Sequence, residues 1–570
     1  MPDVLRIGNC SGYFGDRKSA ARELIEGGEI DVLTGDYLAE TTMLILARQR
    51  MQDPSRGYAS TFIDHMGDVL AACLDRGVKV IANAGGLHPD GCAAALRQVA
   101  SEAGLNPKVA VVQGDNLLPD LDRIQAGGWT FPRAGSGAPL AELGAPIIAA
   151  NVYLGAWGIV EALRAGADVV ITGRVTDSAL ALAPAVWRFG WELDDWDRMA
   201  AGIIAGHLIE CSTQVTGGNY AFFDEVEVLA DMGMPIVEME ASGDFTVTKH
   251  PDTGGAVTKD TVLAQLVYEI GSPAYLTPDV TAHFDSVRLQ PDGEDRVRVS
   301  DVKGSPPPET LKVIVHYPAG FRNSVDVIIG GGDIERKVDA FERLFWERAG
   351  GKDAYLEVRS DRFLDAQRRC LVRLAARSLD RERVGRVFSN AAVELVLASV
   401  PGITLASPPR DASGCGGLWS TTVPRTMVTT TVEVDRRRTE YPTPEIGAES
   451  VPVSAPVPAS ASVPASASVR LGDLCGARSG DKGGDANVAF WVRDSRHYRW
   501  LLATVTDKWL RRHLPEPFDG VIERYELPNV HAVNFLLRGY LGEGAAASIL
   551  LDPQAKFLSE QLRDVVVSAP

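Results

Sequence analysis

The sequence of 570 residues predicts an α/β fold: a mostly parallel sheet flanked by helices, followed by an α+β region, with a separate small α+β C-terminal domain. Three observations predict it. Over residues 4–190 short apolar runs alternate with amphipathic stretches, the grammar of β-α-β units. Those runs stop, one after another, within a residue or two at Gly, Asn, Asp or Arg. A Pro/Ala/Ser/Val stretch at 442–468 then sets the remaining residues apart.

Taken in order, the first strand covers 4–7 and ends at Gly8 and Asn9; a helix over 17–26 is closed by Gly27 and Gly28. The strand 31–34 ends at Gly35 and Asp36, and a helix over 58–76 leads into the central unit. There the run VKVIA at 78–82 reads as a buried strand and stops at Asn83, with Gly85 and Gly86 giving the backbone freedom to turn. Asp90 offers an N-cap for a helix over 91–103 that Gly104 ends, and the strand 109–112 stops at Gly114, Asp115 and Asn116. A strand over 146–150 ends at Asn151, a helix over 157–165 follows, and the strand 167–172 ends at Gly173, Arg174 and Asp177. In a parallel sheet these ends share one edge, where open α/β sheets bind ligands; turn and cap chemistry is the competing explanation.

Residues 1–199 are therefore assigned to the parallel part of a first domain, and 200–441 to its α+β continuation. The continuation has a helix at 200–210, a polar loop at 211–220, short strands at 246–249, 280–284, 286–289, 311–316 and 325–329, and helices at 260–269 and 334–348. The stretch 442–468 cannot bury a core and reads as a linker, and 469–570 forms the small domain, opening on a polar, glycine-rich loop at 476–487.

The net charge of -18 argues against nucleic acid and against a polybasic membrane anchor as partners. The 7 cysteines are scattered and form no C-x-x-C pair, which speaks against a disulfide framework or a zinc site. No basic-then-apolar leader and no membrane-length apolar run is evident, so a cytoplasmic protein is expected.

The candidate catalytic residues are Asp36, Glu40, Arg174 and Asp177. Asp36 and Glu40 are four apart, so one helix would place both carboxylates on one face, where they can share a proton or hold a divalent cation; a cap and a solvated residue is the plain alternative. Arg174 can clamp a carboxylate or phosphate, with Asp177 as base or orienting group, or the two can simply fix a loop. The candidate binding residues along the edge are Asn9, Tyr37, Asn83, Gly85, Gly86, His88, Asp115, Asn116 and Asn151. Gly85 and Gly86 can present amides to an anion, although G-x-G-x-x-G is absent. Asn219 and Lys259 are added from the second region, and Ser479, Asp481, Lys482 and Asn487 from the C-terminal loop, which either cradles an anion or docks onto the large domain and closes its site. Cys211, with His207 four residues before it, is a permissive nucleophile–base spacing and is more simply read as an inert thiol.

The segments RIGNCSGYFGD at 6–16, DYLAETTM at 36–43, NAGGLHP at 83–89, QGDNL at 113–117 and TGRVTDSAL at 172–180 resemble the N-terminal domain of the acyclic terpene utilisation (AtuA-type) family. LGDLCGARSGDKGGDANVAFWV at 471–492 resembles the small domain fused to it. The resemblance implies a role in breakdown of acyclic terpenoids, a route that works on acyl-CoA esters; it carries no specific reaction with it.

Three functions are consistent with this reading. The first is an enzyme of acyclic terpene or branched-chain acyl-CoA catabolism with lyase or hydro-lyase chemistry next to a thioester carbonyl. The second is a non-catalytic accessory or scaffold subunit for a pathway carboxylase. The third is a nucleotide-dependent enzyme using the backbone of residues 330–333 and of the C-terminal loop. No cofactor is required by the sequence; a CoA thioester substrate and a divalent metal are the candidates. The expected partners are a small-molecule substrate, further copies of the chain as a homo-oligomer, and another enzyme of the pathway.

Overall fold

The computed structural model describes residues 4–227, 229–444 and 468–570, and the stretch expected to be a linker falls almost wholly outside them. The first part alternates as read: β1 (Val4–Asn9), α1 (Ala20–Gly27), β2 (Val32–Gly35), α2 (Glu40–Gln52), α3 (Ser60–Arg76), β3 (Lys79–Ala82), α4 (Pro89–Glu102), β4 (Val109–Gln113), α5 (Leu121–Ala126), β5 (Ala149–Val152), α6 (Trp157–Arg164), β6 (Val169–Thr172), α7 (Ala179–Phe189) and α8 (Trp196–Ile209). The parallel strands lie in the order β1-β2-β3-β6-β4 at the centre of an 11-stranded sheet.

Burial on both faces follows from the side-chain alternation of these strands. Leu33, Val80, Ala82, Val109, Val111, Val169 and Ile171 pack with α1, α3 and α4 on one face. Leu5, Ile7, Val32, Ile81, Ala110, Val112 and Val170 pack with α6, α7 and α8 on the other.

Within the central unit β6 inserts between β3 and β4. Three expectations are corrected. The strand expected at 146–150 leaves the parallel sheet: β5 pairs antiparallel with a strand of 21 residues, Thr310–Gly330, so Asn151 lies within a strand rather than past the end of one. That long strand merges the two expected at 311–316 and 325–329, and a bulge between Pro318 and Phe321 absorbs the break in pattern. Asp90 is also not the N-cap of α4; His88 holds that position and Pro89 begins the helix, where its missing N–H has no cost.

The α+β continuation completes the same sheet. β7 (Pro235–Glu240) pairs antiparallel with β1, and β8 (Phe245–Lys249) with β7. At the other edge Thr429–Val434 pairs antiparallel with β4. Helix α9 (Lys259–Leu266) starts at a capping box made by Thr258 and Thr261. The expected C-terminal loop is mostly strand: Cys475–Lys482 and Asp485–Val492 form a hairpin whose tip is Gly483, at φ +66°, and Gly484. Two glycines meet the backbone demand of such a two-residue turn. The hairpin continues into Ala532–Leu537 and Ile522–Leu527, a four-stranded antiparallel sheet.

That C-terminal sheet is docked on the large domain. Ala489, Trp491, Leu527, Val530 and Ala532 join the large domain's own core. Buried Asn487 accepts from the Glu269 amide at 3.0 Å and donates to the Val267 carbonyl at 3.0 Å. Asn534 donates to the Gly271 carbonyl at 2.8 Å, and Asn529 to the Phe284 and Val287 carbonyls at 2.9 Å each.

Candidate functional site

Because β1, β2, β3, β4 and β6 are parallel, Asn9, Asp36, Asn83, Asp115 and Arg174 all leave the sheet on one side. Neighbours at this edge are tied to one another. Asn83, fully buried, donates to Asp36 Oδ1 at 2.5 Å and accepts from the Tyr37 amide at 2.7 Å. Asp115 accepts from the Arg174 amide at 2.9 Å and from Asn151 Nδ2 at 2.7 Å. Burial raises the Asp115 carboxyl to about 6, and these donors restrain it. A Cβ on Gly173 would stand 2.3 Å from Asp115 Oδ1, so glycine there lets the carboxylate reach the Arg174 backbone.

Arg174 is 3% exposed and grips Asp177 with two nitrogens, at 2.7 and 3.2 Å, while its guanidinium stacks 4.1 Å from the Tyr153 ring centroid. Burial leaves the Asp177 carboxyl above its usual range, and the Arg174 guanidinium, with two donors aimed at its two oxygens, works against that rise and favours the charged form. Asp36 has no such cation in contact. Burial, then the Asp177 charge, raises it well above the usual carboxylate range, so it holds its proton.

The long strand supplies a second pair. Lys312 Nζ lies 3.1 Å from Glu40 Oε1 and 4.3 Å from the Tyr153 ring centroid, and Tyr153 donates to Glu40 Oε1 at 2.8 Å. Burial pushes Glu40 up, but Lys312, Arg174 and the Tyr153 hydroxyl outweigh it and hold the carboxylate charged, below its ordinary range. Asp36 and Glu40 do not share a helix face as expected: α2 begins at Glu40, and Asp36 lies in the extended segment before it.

The end of α8 brings Glu210, which sequence reasoning passed over. Buried Asn9 fixes this helix end, donating to the Ile209 carbonyl at 2.7 Å and the Glu210 carbonyl at 3.3 Å. Glu210 Oε1 stands 3.2 Å from His207 Nδ1. His207 Nε2 faces the Gln265 and Leu266 carbonyls at 3.1 and 3.2 Å, so it must carry the ring proton. Burial holds the ring neutral, with its pKa drawn down to about 4. Nδ1 then offers only a lone pair and has no protein donor. The contact is complementary when Glu210 is the protonated partner, and burial followed by the Asp177 charge raises Glu210 well above the usual range. The nearby Cys211 thiol is also pushed far up by burial and then by Glu210, so it is no thiolate, and His207 is committed elsewhere.

The C-terminal hairpin and the turn after α9 close the ring. Lys482 donates to the Glu269 carbonyl at 2.9 Å and lies 4.6 Å from the Tyr275 ring centroid. Lys556 contacts Glu269 Oε1 at 3.0 Å and approaches Asp481 to 3.7 Å. Arg478 and Lys556 each stand 4.4 Å from the centroid of the Tyr268 ring. Burial raises Glu269 to about 8 and lifts Asp481 well above its usual range. Lys482 feels Lys312, Glu269, Glu210 and Glu40, so the two domains face one another across a shared electrostatic field.

Deep as they sit, these side chains keep accessible surface: 41% for Lys312, 22% for Glu40, 27% for Asp177 and 33% for Glu269. Two cavities lie elsewhere. One of about 400 Å³ is beside Arg48, Phe321, Leu379 and Cys415, and one of about 610 Å³ is at the domain seam beside Phe222, Arg493 and Arg563. Neither touches the charged groups above, whose chemistry is the stronger pointer to a site.

Several candidates stand apart from the cleft. The Tyr37 hydroxyl bonds His65 Nδ1 at 2.7 Å inside the core. Of the amides after Asn83, Gly86 is spent on the Asn83 carbonyl, Leu87 on the Gly57 carbonyl and His88 on the Gly85 carbonyl, which leaves little for an anion. A Cβ on Gly85 would meet the Thr172 carbonyl at 2.5 Å, which makes that glycine a packing requirement. His88 is electrostatically near Arg50 and Asp90 rather than the cleft. Exposed Asn116 caps the Leu118 amide at 3.1 Å. Asn219 meets the C-terminal domain only through its carbonyl, which accepts from Arg478 at 2.7 Å. Lys259 begins α9, away from the cleft. Ser479 is fully buried and accepts from the Ser559 amide at 2.9 Å, and Asn487 is a docking residue, so neither is free for a ligand. Among the described residues no three His, Cys, Asp or Glu side chains are placed to hold a metal ion, and no helix is long and apolar enough to cross a membrane. All seven cysteines are free.

The family model described as acyclic terpene utilisation family protein AtuA matches residues 5–434, and that of the AtuA ferredoxin-like domain matches residues 469–568. Comparison with curated proteins and with solved structures finds no match. The chain belongs to the acyclic terpene utilisation AtuA family, carries its ferredoxin-like domain, and is thereby linked to the acyclic terpene utilisation pathway.

Proposed function

We propose that this chain is an enzyme of acyclic terpene or branched-chain acyl-CoA catabolism that moves a proton next to a thioester carbonyl, in a lyase or hydro-lyase reaction. The observation that carries this reading is that two neighbouring carboxyl groups have opposite partners. Glu210 faces the lone pair of His207, which calls for a protonated acid, while Asp177 is gripped by the Arg174 guanidinium, which favours a carboxylate. Carboxyl groups whose surroundings drive their proton affinities apart are the signature of assigned acid and base roles. In a dehydration Asp177 takes the proton from the carbon beside the carbonyl, and Glu210 gives its proton to the departing hydroxyl, which leaves as water. The cation at Lys312 favours the negative charge that develops on the carbonyl oxygen.

Two other readings are less well supported. Against a scaffold role stands the electrostatic contact of Asp481 and Lys482, on the C-terminal domain, with Glu40 of the large domain. The glycine turn at 330–332 spends its Gly330 and Gly331 amides on the Gly402 and Arg368 carbonyls, which leaves little for a phosphate. The test is incubation of the purified protein with branched and isoprenoid acyl-CoA esters, followed by mass spectrometry for gain or loss of water. Turnover of one of them supports the proposal, and an inert protein across saturated, unsaturated and hydroxylated esters sinks it.

A further inference from the structure

We propose that Lys482, carried to the cleft by the C-terminal hairpin, binds a free carboxylate group of the ligand, so that the ferredoxin-like domain completes the binding site. This rests on the reading of the cleft as a ligand site and names its substrate class more narrowly.

The argument begins with which cations are already compensated. Arg174 is paired with Asp177, Lys312 with Glu40, and Lys556 with Glu269. Arg478 is held by Gln214, the Asn219 carbonyl and the Tyr268 ring. Neither Arg478 nor Lys482 has a carboxylate oxygen within 4.0 Å among the described residues, but Arg478 spends donors on Gln214 and the Asn219 carbonyl, whereas Lys482 has the Glu269 carbonyl alone. One of its three N–H donors goes to the Glu269 carbonyl, and its charge rests against the Tyr275 ring.

The charged and titratable groups facing Lys482 do not supply the missing charge. Glu210 carries a proton toward His207, Glu269 is engaged by Lys556, and Glu40 belongs to Lys312. Lys312 adds a repulsion. Burial and that repulsion draw the Lys482 ammonium down to about 8, the state of a cation lacking its counter-ion. A half-buried, uncompensated ammonium with free donors is an anion site. A single ammonium with two donors left suits a carboxylate; a phosphate brings more charge and more acceptor oxygens than those donors match.

The full chain is acetylated with acetic anhydride, and the rate at Lys482 is read by mass spectrometry against exposed Lys18. Three probes are compared: isovalerate, its neutral amide isovaleramide, and inorganic phosphate. At about ten times its Kd, isovalerate is expected to slow Lys482 acetylation about tenfold and leave Lys18 unchanged, because the reactive free fraction falls with occupancy. Isovaleramide and phosphate are expected to protect neither residue. In a parallel melt, isovalerate raises the Tm of wild type and K482R but not of K482Q. Equal protection by the amide, protection by phosphate alone, no protection, or a Lys482 that acetic anhydride never reaches each overturns the proposal. Protection without turnover of any acyl-CoA ester would refute the proposed reaction and leave the carboxylate site standing; turnover without protection would do the reverse.

Discussion

Glu210 Oε1 and His207 Nδ1 face each other at 3.2 Å with one proton to share, because the other ring nitrogen is already bound to two carbonyls. The first prediction follows from where that proton sits. E210Q keeps a donor for Nδ1 and should fold as wild type, yet it has no acid to give. Turnover is expected to fall about 10²–10⁴-fold, the range for general acid catalysis. Nitrogen NMR should show His207 as the Nε2–H tautomer in both proteins; a ring protonated at Nδ1 would contradict the assignment.

R174K tests the Arg174–Asp177 grip. Lysine retains the charge but cannot make two parallel contacts to Asp177 or stack as a plane on Tyr153. One charged hydrogen bond of about 1.5–3 kcal/mol is lost, so kcat/KM should drop roughly 10- to 100-fold. Steady-state kinetics checks this, and an unchanged kcat/KM would mean that the pair only fixes a loop.

N487A tests the domain docking. Asn487 is fully buried between the Glu269 amide and the Val267 carbonyl. Alanine leaves both without a partner, at roughly 1–3 kcal/mol for each group. The urea midpoint should fall, and amide exchange over residues 267–271 should quicken before that of β1–β4.

The pH dependence of stability tests His316, which is 1% exposed and donates through Nε2 to the Glu40 carbonyl at 3.0 Å. Burial lowers its pKa from 6.5 to about 4. A folded-state value below the unfolded one contributes stability that is present above about pH 6.5 and lost as pH falls through about 4. Asp115, raised to about 6, runs the opposite way, and it is common to both proteins compared. H316Q should therefore lose about 1.4 kcal/mol per pH unit from the slope of stability between pH 6.5 and 4. Urea unfolding across that range measures it; an unchanged slope would place the titration elsewhere.

Much of the site was legible because the chain's own periodicity exposes it. Strands buried on both faces are continuous apolar runs, and in a parallel sheet their ends must share an edge. Asp36, Asn83, Asp115 and Arg174 could therefore be placed together without coordinates. Lys482 and Asp481 were read from the density of polar residues around the hairpin glycines. The roles within the set were less legible. Tyr37 sits one residue from Asp36 yet points into the core, because neighbouring residues of an extended segment face opposite ways. Asn116 faces solvent for the same reason.

The sequence by itself determined the family, the alternation of elements and the edge on which polar residues gather, since these depend on local pattern. Only the tertiary structure decided that Glu210, Glu269, Lys312 and Lys482 join that edge. They come from a helix end, a turn, the start of a long strand and a hairpin in another domain, and of the four only Lys482 carries a local signal, the polar residues around its hairpin glycines. Their protonation states were likewise decided by the fold, because burial and facing charges, and not residue type, determine where a proton rests.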